Sequence, residues 1–260
     1  MLTYQARIAH TTNPTAQRLY GLMADKTSNL CLAADVTSSG ELLLLADMLG
    51  PYICVLKTHI DMIDDFSINL VTQLQRLAEK HAFLIFEDRK FGDIGNTVKY
   101  QYQEGIYHIA DWAHIINAEV LPGPSVIDGL KEVGLHKGHG LLLQAEMSTN
   151  GSLAIGDYTA ATVTMAEAHD DFVIGFMTQR RLSDNPKFLS FTSGVQFDHE
   201  RDESDQHYRT PAQAIGKEEN DIIIVGRGIY EAADPKKEAK KYREAGWRAY
   251  QERLNQSSYQ

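Results

Sequence analysis

Eight strand-like apolar runs recur along this sequence, and between them lie segments whose apolar residues have helical spacing. The runs are Asn29–Asp35, Tyr52–His59, Ala82–Asp88, His114–Val120, Gly140–Met147, Phe172–Thr178, Leu189–Gln196 and Asp221–Gly226. Most are continuously apolar and rich in Ile, Leu, Val and Phe, which is typical of strands buried on both faces of a parallel sheet. The alternation predicts an α/β protein built from repeated β-then-α units.

Eight such units in about 250 residues match the usual size of a closed (β/α)8 barrel, or TIM barrel. An open, doubly wound sheet is the alternative, but its first strand is normally followed by a Gly-rich turn. In this sequence Asp35-Val36-Thr37 stands at that point. We predict a single TIM-barrel domain spanning residues 1–260, with residues 1–28 as an extra N-terminal helix that closes its bottom.

Two helix starts are marked by capping residues. Ser38-Ser39-Gly40-Glu41 has the form of a capping box before Leu42–Leu49. Asp234-Pro235, a cap followed by a first-turn proline, predicts the start of a final helix that continues to Leu254. Both signals place helices after predicted strands, as the alternation requires.

Charge and composition limit the possible partners. The formal net charge is -10, and no basic stripe suited to nucleic-acid phosphates is found. The N-terminus lacks the apolar core of a signal peptide, and no apolar stretch approaches the roughly 18 residues of a membrane span. Cys31 and Cys54 show no zinc-ligand spacing and suit a reducing compartment. We expect a soluble cytoplasmic protein that binds neither nucleic acid nor membrane.

The segment Asp88–Thr97 directly follows the apolar run Ala82–Phe86 and carries the spacing Asp-x-Lys-x-x-Asp. Residues two apart on a strand point to the same side, so Asp88 and Lys90 are predicted to share one face. Folding gives no reason to place a carboxylate and an ammonium group at the end of a core strand. The pattern indicates a catalytic pair, although the triplet of charges alone would also fit a surface salt-bridge cluster.

Polar side chains end most of the predicted strands. In TIM barrels the catalytic residues come from the C-terminal ends of strands. The residues at these ends are Asp35, Lys57-Thr58-His59, Asp88 with Lys90, Glu146-Met147-Ser148, Gln196 and Gly226-Arg227-Gly228. Several such ends in register predict one polar site above an apolar core.

The junctions after the seventh and eighth strands predict a phosphate site, since loops there commonly bind phosphate in TIM barrels. The glycines of Gly226-Arg227-Gly228 would let backbone N–H groups approach the phosphate, and Arg227 would add a bidentate contact. The polar segment Phe197–Thr210 is either a solvated loop or a lid over a phosphorylated ligand, with Gln206 and Tyr208 as donors. Its composition fits both interpretations equally.

No nucleophile or metal motif stands out. The ten histidines show no His-Glu-x-x-His or facial-triad spacing, and no Gly-x-Ser-x-Gly motif is found. Only His59, beside Lys57, lies where it could touch a ligand. Carboxylate and ammonium groups without a metal favour proton transfer and electrostatic catalysis.

Several segments together carry a wider resemblance. Besides Asp88–Thr97 they are Leu32-Ala33-Ala34-Asp35-Val36-Thr37, Leu56-Lys57-Thr58-His59-Ile60-Asp61, Ala145-Glu146-Met147-Ser148, Gly151-Ser152-Leu153-Ala154 and Asp221–Gly228. In this order they resemble the orotidine 5'-phosphate decarboxylase family over essentially the whole chain, and especially the form fused to orotate phosphoribosyltransferase in animals. The resemblance implies decarboxylation of orotidine 5'-monophosphate (OMP) to UMP, the last step of pyrimidine synthesis. Because no phosphoribosyltransferase domain precedes it here, we expect a monofunctional chain.

The resemblance also implies roles for individual residues. Lys90 would donate the proton to C6 of the pyrimidine, and Asp88 would lie beside the departing carboxylate. Lys57 and Asp35 would contact the ribose and hold the charged array in place. The remaining predicted substrate contacts are Thr58, His59, Ile94, Ser148 at the base edge, Gln206 between base and phosphate, Tyr208, Gly226 and Arg227 at the phosphate, and Asp93 and Thr97 reaching into the neighbouring site of a homodimer.

The chemistry explains why such residues are needed. Loss of CO2 from C6 leaves an electron pair that the ring π-system cannot delocalise, so an enzyme without an electron-sink cofactor must stabilise the charge electrostatically. A fixed ammonium group aimed at C6 meets this need. We predict that Lys90, between Asp88 and Asp93, stays protonated at neutral pH. No metal or organic cofactor is implied.

The sequence departs from the family pattern at four positions. Gly92 stands where alanine is usual, Glu119 where histidine is common, and His207 where glutamine is expected. Ser193, in Phe191-Thr192-Ser193-Gly194-Val195, occupies a position commonly filled by proline. These changes concern loop stiffness and fine contacts and leave the predicted reaction intact.

Two other functions share part of the pattern. A magnesium-dependent phosphosugar decarboxylase or synthase of the same barrel superfamily also carries Asp-x-Lys-x-x-Asp but works through an enediolate, and EDTA sensitivity would reveal it. A non-catalytic pyrimidine-nucleotide-binding barrel would keep the phosphate site alone. The presence of Lys57, Asp88, Lys90 and Asp93 together counts against the second alternative.

Overall fold

Eight parallel strands close into a barrel in the computed structural model, which describes residues 1–197 and 208–257. Each strand pairs with the next along the chain, and the eighth pairs with the first, placing Leu30 opposite Ile223. The strands are β1 Leu30–Ala33, β2 Val55–Thr58, β3 Leu84–Phe91, β4 Ile115–Ala118, β5 Gly140–Gln144, β6 Val173–Met177, β7 Leu189–Thr192 and β8 Ile222–Val225. The predicted TIM barrel is confirmed.

Helices cover the outside of the barrel. They are α1 Tyr4–Arg7, α2 Pro14–Lys26, α3 Ser39–Leu49, α4 Ile68–His81, α5 Gly95–Gln103, α6 Ser125–Gly134, α7 Asp157–Ala168, α8 Arg227–Tyr230 and α9 Pro235–Ser257, with a π-helical turn at Ala212–Lys217. Residues 178–188, all of them described, join β6 to β7 without a helix. Within the described ranges, no helix has the length and apolar character needed to cross a membrane.

One apolar core fills the barrel and the layer between strands and helices. Every residue of β1, β5, β6 and β8 is buried, as expected for strands covered on both faces. Phe86 of β3 and Phe191 of β7 meet edge to face, with ring centroids 6.1 Å apart. Burying a side chain of this size stabilises the fold by about 1.5–3 kcal/mol. The core thus forms a firm base for the polar residues above it.

The N-terminal segment forms two helices, so the single helix predicted for residues 1–28 is wrong in detail. A 3₁₀ turn at Ile8–His10 separates α1 from α2. The second helix begins at Pro14, and the Asn13 side chain accepts a hydrogen bond from the Ala16 N–H. Asn-Pro is a regular helix-start signal, and it breaks the segment at this point.

The N-terminal helices cover the bottom of the barrel, as predicted. The ring of Tyr4 in α1 stacks on Tyr250 of α9 with centroids 4.0 Å apart. The Lys26 ammonium at the end of α2 reaches the turns that lead into β2 and β3. It donates to the carbonyl groups of Gly50, His81 and Ala82 at 2.8, 2.6 and 2.9 Å.

Most strands are shorter than the apolar runs that predicted them. β1 ends at Ala33 and β5 at Gln144, so Asp35 and Ser148 lie in the loops above the sheet. β3 is the exception, because it continues past its predicted end at Asp88. Asp35 and Ser148 therefore lie on a rim above the barrel, whereas Lys57 and Thr58 are the last two residues of β2.

β3 is also irregular where it carries its charges. Its register against β4 shifts between Glu87 and Phe91, and Lys90 has a left-handed backbone with φ of +50°. The interpretation of Asp88 and Lys90 as alternate positions of a regular strand was therefore wrong. The two side chains still converge, but the irregular backbone brings them together.

The two predicted helix starts differ in outcome. Helix α3 starts after Ser38, but the predicted capping box is not formed. The N–H and hydroxyl of Ser39 donate instead to the carboxylate of Asp65 at 2.8 and 2.5 Å. At α9 the Asp234 carboxylate accepts from the Lys237 N–H at 3.1 Å, which confirms that cap.

Candidate active site

A cavity of about 370 Å³ opens above the C-terminal ends of the strands. This volume lies in the range of small-molecule sites. The predicted site residues that line it are Asp35, Lys57, Asp88, Lys90, Ser148, Tyr208, Gly226 and Arg227. The fold thus brings residues from most of the chain's length to one opening.

Four charged side chains form a continuous array on one wall of the cavity. The Lys57 ammonium lies 3.1 Å from the Asp35 carboxylate and 3.1 Å from the Asp88 carboxylate. The second oxygen of Asp88 accepts from the Lys90 ammonium at 2.6 Å. Asp88 is thus held between two ammonium groups, and signs alternate along the array.

Burial and charge act in opposite directions on this array. Burial alone would raise the pKa of Asp88, but the Lys57 and Lys90 ammonium groups hold it well below its usual range. Burial would lower the pKa of Lys57, but Asp88 and Asp35 raise it above the usual value. Both groups are therefore charged at neutral pH, although their side chains are 5% and 6% exposed.

His59 contacts the array through Lys57. Burial, reinforced by the Lys57 ammonium, lowers the pKa of His59, so the ring is neutral at pH 7. Its Nε2 lies 2.9 Å from the Lys57 ammonium and accepts a hydrogen bond from it. His59 therefore supports Lys57.

Asn117 of β4 fixes the irregular end of β3. Its amide nitrogen donates to Asp88 at 2.6 Å, and its amide oxygen accepts from the Lys90 backbone N–H at 2.8 Å. A left-handed backbone at a lysine costs on the order of 1–3 kcal/mol and persists where the surroundings enforce it. Asn117 was not among the predicted site residues, although an amide within the apolar run His114–Val120 is a visible signal.

Thr58 and Glu87 form a second layer beneath the cavity. The fully buried Glu87 carboxylate accepts from the Thr58 hydroxyl at 2.6 Å and from the Ile60 N–H at 3.0 Å. Burial raises the pKa of Glu87 to about 8, partly offset by these two hydrogen bonds. Thr58, predicted to bind substrate, thus faces Glu87 and fixes the turn that carries His59.

The predicted phosphate residues Tyr208, Gly226 and Arg227 line the same cavity. Gly226 precedes the short helix α8, and Arg227 is its first residue. The Arg227 guanidinium donates to the Tyr208 hydroxyl at 2.9 Å. A short helix start, a glycine and an arginine are the usual parts of a TIM-barrel phosphate site.

Arg209 fastens the chain next to Tyr208. Its guanidinium donates to the Thr192 hydroxyl at 2.6 Å and to the carbonyl groups of Gln179 and Ser193, and it pairs with Glu218. It therefore joins the loop after β6 and the end of β7 to the segment that leads into β8. Arg209 was not among the predicted site residues.

A third side of the cavity carries hydroxyl groups. The Ser148 hydroxyl lies 3.2 Å from that of Ser193, and both residues line the cavity. Glu146 fixes the Ser148 loop by accepting from the Thr178 hydroxyl at 2.9 Å and the Gln179 N–H at 3.0 Å. The predicted base-edge residue is thus part of a hydroxyl pair.

Other predicted residues lie beside the cavity or outside the described ranges. Asp93 and Ile94 are exposed, the latter by 61%, and Asp93 accepts from the Ile94 N–H at 2.7 Å. Thr97 lies on α5, which packs closely on α6. Gln206, His207 and most of the predicted lid fall at positions 198–207, outside the described residues.

Among the residues that the structure describes, no three His, Cys, Asp or Glu side chains are grouped so as to hold a metal ion. The carboxylates of Asp35 and Asp88 contact ammonium groups instead. The cavity therefore contains an array of paired charges, buried at Lys57 and Asp88, together with the predicted phosphate residues.

The sequence profile of the orotidine 5'-phosphate decarboxylase / HUMPS family matches residues 28–242. The chain belongs to this family. Orotidine 5'-phosphate decarboxylase of Schizosaccharomyces pombe is 52% identical over 256 residues, covering 98% of this chain and 97% of the relative. Uridine 5'-monophosphate synthase of Bos taurus is 53% identical over 243 residues, covering 94% of this chain and 51% of the synthase. The family predicted from the sequence is confirmed.

Solved structures of the family share the fold. The orotidine 5'-monophosphate decarboxylase of Methanocaldococcus jannaschii, complexed with the inhibitor BMP, matches 84% of this chain and 98% of its own. The TM-score is 0.64 at 20% sequence identity. At this identity the likeness concerns the barrel alone.

Proposed function

We propose that this chain decarboxylates OMP to UMP and CO2, as a carboxy-lyase that needs neither metal nor organic cofactor. The observation that carries the proposal is the Asp88 carboxylate, held 3.1 and 2.6 Å from two ammonium groups on the cavity wall. Family members that are 52% and 54% identical over nearly the whole chain bear the name of this enzyme.

Lys90 supplies the proton. Breaking the bond between C6 and the carboxylate carbon releases CO2 and leaves the electron pair on C6. The Lys90 ammonium, 31% exposed at the cavity, stabilises this charge and then transfers a proton to C6. A preorganised donor of this kind is typically worth about 3–4 kcal/mol. The resulting amine recovers a proton from solvent, so each turnover consumes one proton.

Asp88 contributes through its position. Its carboxylate faces the place of the substrate carboxylate, and this like-charge contact is relieved when CO2 leaves. Lys57, held by Asp35 and His59, keeps Asp88 ionised and in place. Lys57 and Asp35 also bind the ribose hydroxyl groups. The array thus serves both catalysis and substrate alignment.

Binding of the remote groups aligns the substrate. Arg227, Tyr208 and Gly226 bind the phosphate, and Ser148 binds the base edge. Gln206 retains the bridging role that the sequence resemblance implies. Binding energy from a distant phosphate can be used to hold the reacting carbon against the charged array.

We further propose that the active form is a homodimer. Asp93 and Thr97 would complete the neighbouring site, with Ile94 beside them. Asp93 and Ile94 are exposed in the single chain, and burial of the apolar Ile94 side chain would favour association.

We place the enzyme in the cytoplasm as one domain of residues 1–260. The free, buried thiols of Cys31 and Cys54 suit a reducing compartment. A net charge of -10 disfavours nucleic-acid binding.

The test is the fall in ultraviolet absorbance of OMP with purified protein and EDTA, run beside Lys90→Ala and the exposed-lysine control Lys137→Ala. We expect turnover by the wild type and the control, and a loss of at least about 10³-fold for Lys90→Ala. Far-UV circular dichroism checks that the variant is folded.

Each other outcome identifies an alternative. Turnover only after Mg²⁺ is added would indicate a magnesium-dependent relative of the same superfamily. UMP binding without turnover would indicate a pyrimidine-nucleotide-binding barrel. Full activity of Lys90→Ala would remove Lys90 from the mechanism.

A further inference from the structure

Two hydroxyl groups face each other on the cavity wall that the charged array leaves free. Ser148 follows β5 and Ser193 follows β7, and their oxygen atoms are 3.2 Å apart. Both side chains line the cavity. At this distance one hydroxyl donates to the other, and either can be the donor.

The backbone of Ser193 has little freedom. Its carbonyl accepts from the Arg209 guanidinium at 3.0 Å, and the same nitrogen also donates to the Thr192 hydroxyl. The following residue, Gly194, has a φ of +71°, and its carbonyl accepts from the Arg209 N–H. The backbone that carries the Ser193 hydroxyl is therefore held in place.

The loop of Ser148 is equally fixed. The Glu146 carboxylate ties it to Thr178 and Gln179, at the junction after β6. The contact between the two hydroxyl groups thus joins two fastened loops. Its direction decides whether Ser148 presents a lone pair or a proton to the cavity.

The two directions suit different pyrimidine rings. A uracil-type ring carries an N–H at N3 between two carbonyl groups, whereas a cytosine ring has an unprotonated N3 next to an amino group. A hydroxyl that accepts from N3–H must direct its own proton elsewhere. The Ser193 oxygen lies in hydrogen-bond range to receive that proton.

We propose that Ser193 is a specificity-determining positioning residue, which accepts the Ser148 proton and thereby makes Ser148 an acceptor for uracil-type N3–H. The inference rests on the proposed function, since it assumes that Ser148 meets the base edge. Ser193 acts through Ser148 and takes no part in the bond cleavage at C6.

The experiment measures the dissociation constants of UMP and CMP by calorimetry for the wild type and Ser193→Ala. We expect UMP binding to weaken roughly three- to tenfold and CMP binding to change less than twofold, because only the N3–H contact loses its fixed acceptor. The dissociation constant of CMP divided by that of UMP should therefore fall. For OMP turnover, KM should rise more than kcat falls.

A matched pair separates the hydroxyl from simple packing. Ser193→Thr keeps the hydroxyl and Ser193→Val replaces it with a methyl group in nearly the same shape. Threonine should retain the UMP preference and valine should lose it. Ser183→Ala, in the loop below β7, is the control and should match the wild type.

The outcomes separate this inference from the proposed function. Absence of both OMP turnover and UMP binding in the wild type would overturn the proposed function. An active wild type whose preference for UMP over CMP survives in both the alanine and the valine variant would overturn only the role of Ser193. Equal weakening of UMP and CMP would also overturn it, because it would indicate a packing effect.

Discussion

Both ends of the barrel contain a buried acid bound to basic side chains, but the two groups differ in what their donors contact. At the lower end Arg7 donates to Asp221 at 2.5 Å and to the carbonyl groups of Pro186 and Phe188 at 2.7 and 2.6 Å. At the upper end Lys57 and Lys90 both contact Asp88, and Lys90 remains 31% exposed at the cavity.

A structural ion pair and a functional one differ in whether all of the donors are bound within the protein. At the lower end each of the three guanidinium nitrogen atoms of Arg7 donates a hydrogen bond to another group of the protein. Asp221 also accepts from the Ser190 N–H. At the upper end part of the charge is directed at a space that a ligand can fill. Similar desolvated charges thus stabilise the fold at one end and prepare a site at the other.

The largest effect on stability is expected at the lower end. Asp221→Asn removes the charge that balances Arg7, and breaking a buried pair costs about 3–5 kcal/mol. We expect this loss in the free energy of unfolding in urea, with kcat per folded molecule unchanged. The control Asp111→Asn breaks the exposed pair with Lys137 and should cost under about 1 kcal/mol. A fall in kcat at full stability would contradict the structural role of Asp221.

At the upper end, Arg227→Ala tests the anion site. We expect kcat/KM for OMP to fall roughly 10- to 100-fold, because a charge-assisted contact to phosphate is lost. Turnover of orotidine, which lacks the phosphate, should change little. Arg181→Ala, at the lower end, is the control and should affect neither substrate. Equal losses on both substrates would show that Arg227 does not act through the phosphate.

Asn117→Ala leaves every charge of the upper array in place and removes only the hydrogen bonds that hold Asp88 and Lys90. The Asp88 carboxylate loses a donor and the Lys90 N–H loses its acceptor. We expect kcat to fall roughly tenfold while KM changes less. Asn185→Ala, in the loop between β6 and β7, is the control for loss of an amide. A wild-type kcat in Asn117→Ala would mean that the backbone of Lys90 needs no such support.

The barrel and its polar rim could be predicted from the sequence because both depend on patterns of neighbouring residues. Continuous apolar runs identify strands covered on both faces, and the C-terminal ends of parallel strands meet at one edge. Most predicted strand ends overran the real ones, since residues such as Ala34 and Ala145 stay buried above the sheet. Burial, and not strand geometry, was what the apolar pattern reported.

Partners contributed by other strands could not be predicted in the same way. Asn117 acts on Asp88 from the neighbouring strand, and the left-handed Lys90 depends on that contact. Ser193 gains its position from Arg209, which follows it by 16 residues. Such contacts depend on register and loop geometry, which no short spacing in the sequence encodes.

Glu87 offers the finest test, since it is a buried acid at the upper end with no basic partner among its described hydrogen bonds. Its pKa is raised to about 8 by burial, above the unfolded value. The folded state therefore holds a proton that the unfolded state has released between about pH 4.5 and 8. The associated stability is fully present below the unfolded pKa and is lost as pH rises through this window.

Glu87→Gln keeps the shape and can still accept from the Ile60 N–H, but it does not titrate. We expect the free energy of unfolding of the wild type, relative to this variant, to fall by about 1.4 kcal/mol per pH unit within the window. Urea unfolding at pH 5.5, 6.5 and 7.5 measures it. If the free energies of unfolding of the wild type and the variant change in parallel with pH, Glu87 is ionised at all three pH values. The charge beneath the array would then include a further carboxylate beside Asp88.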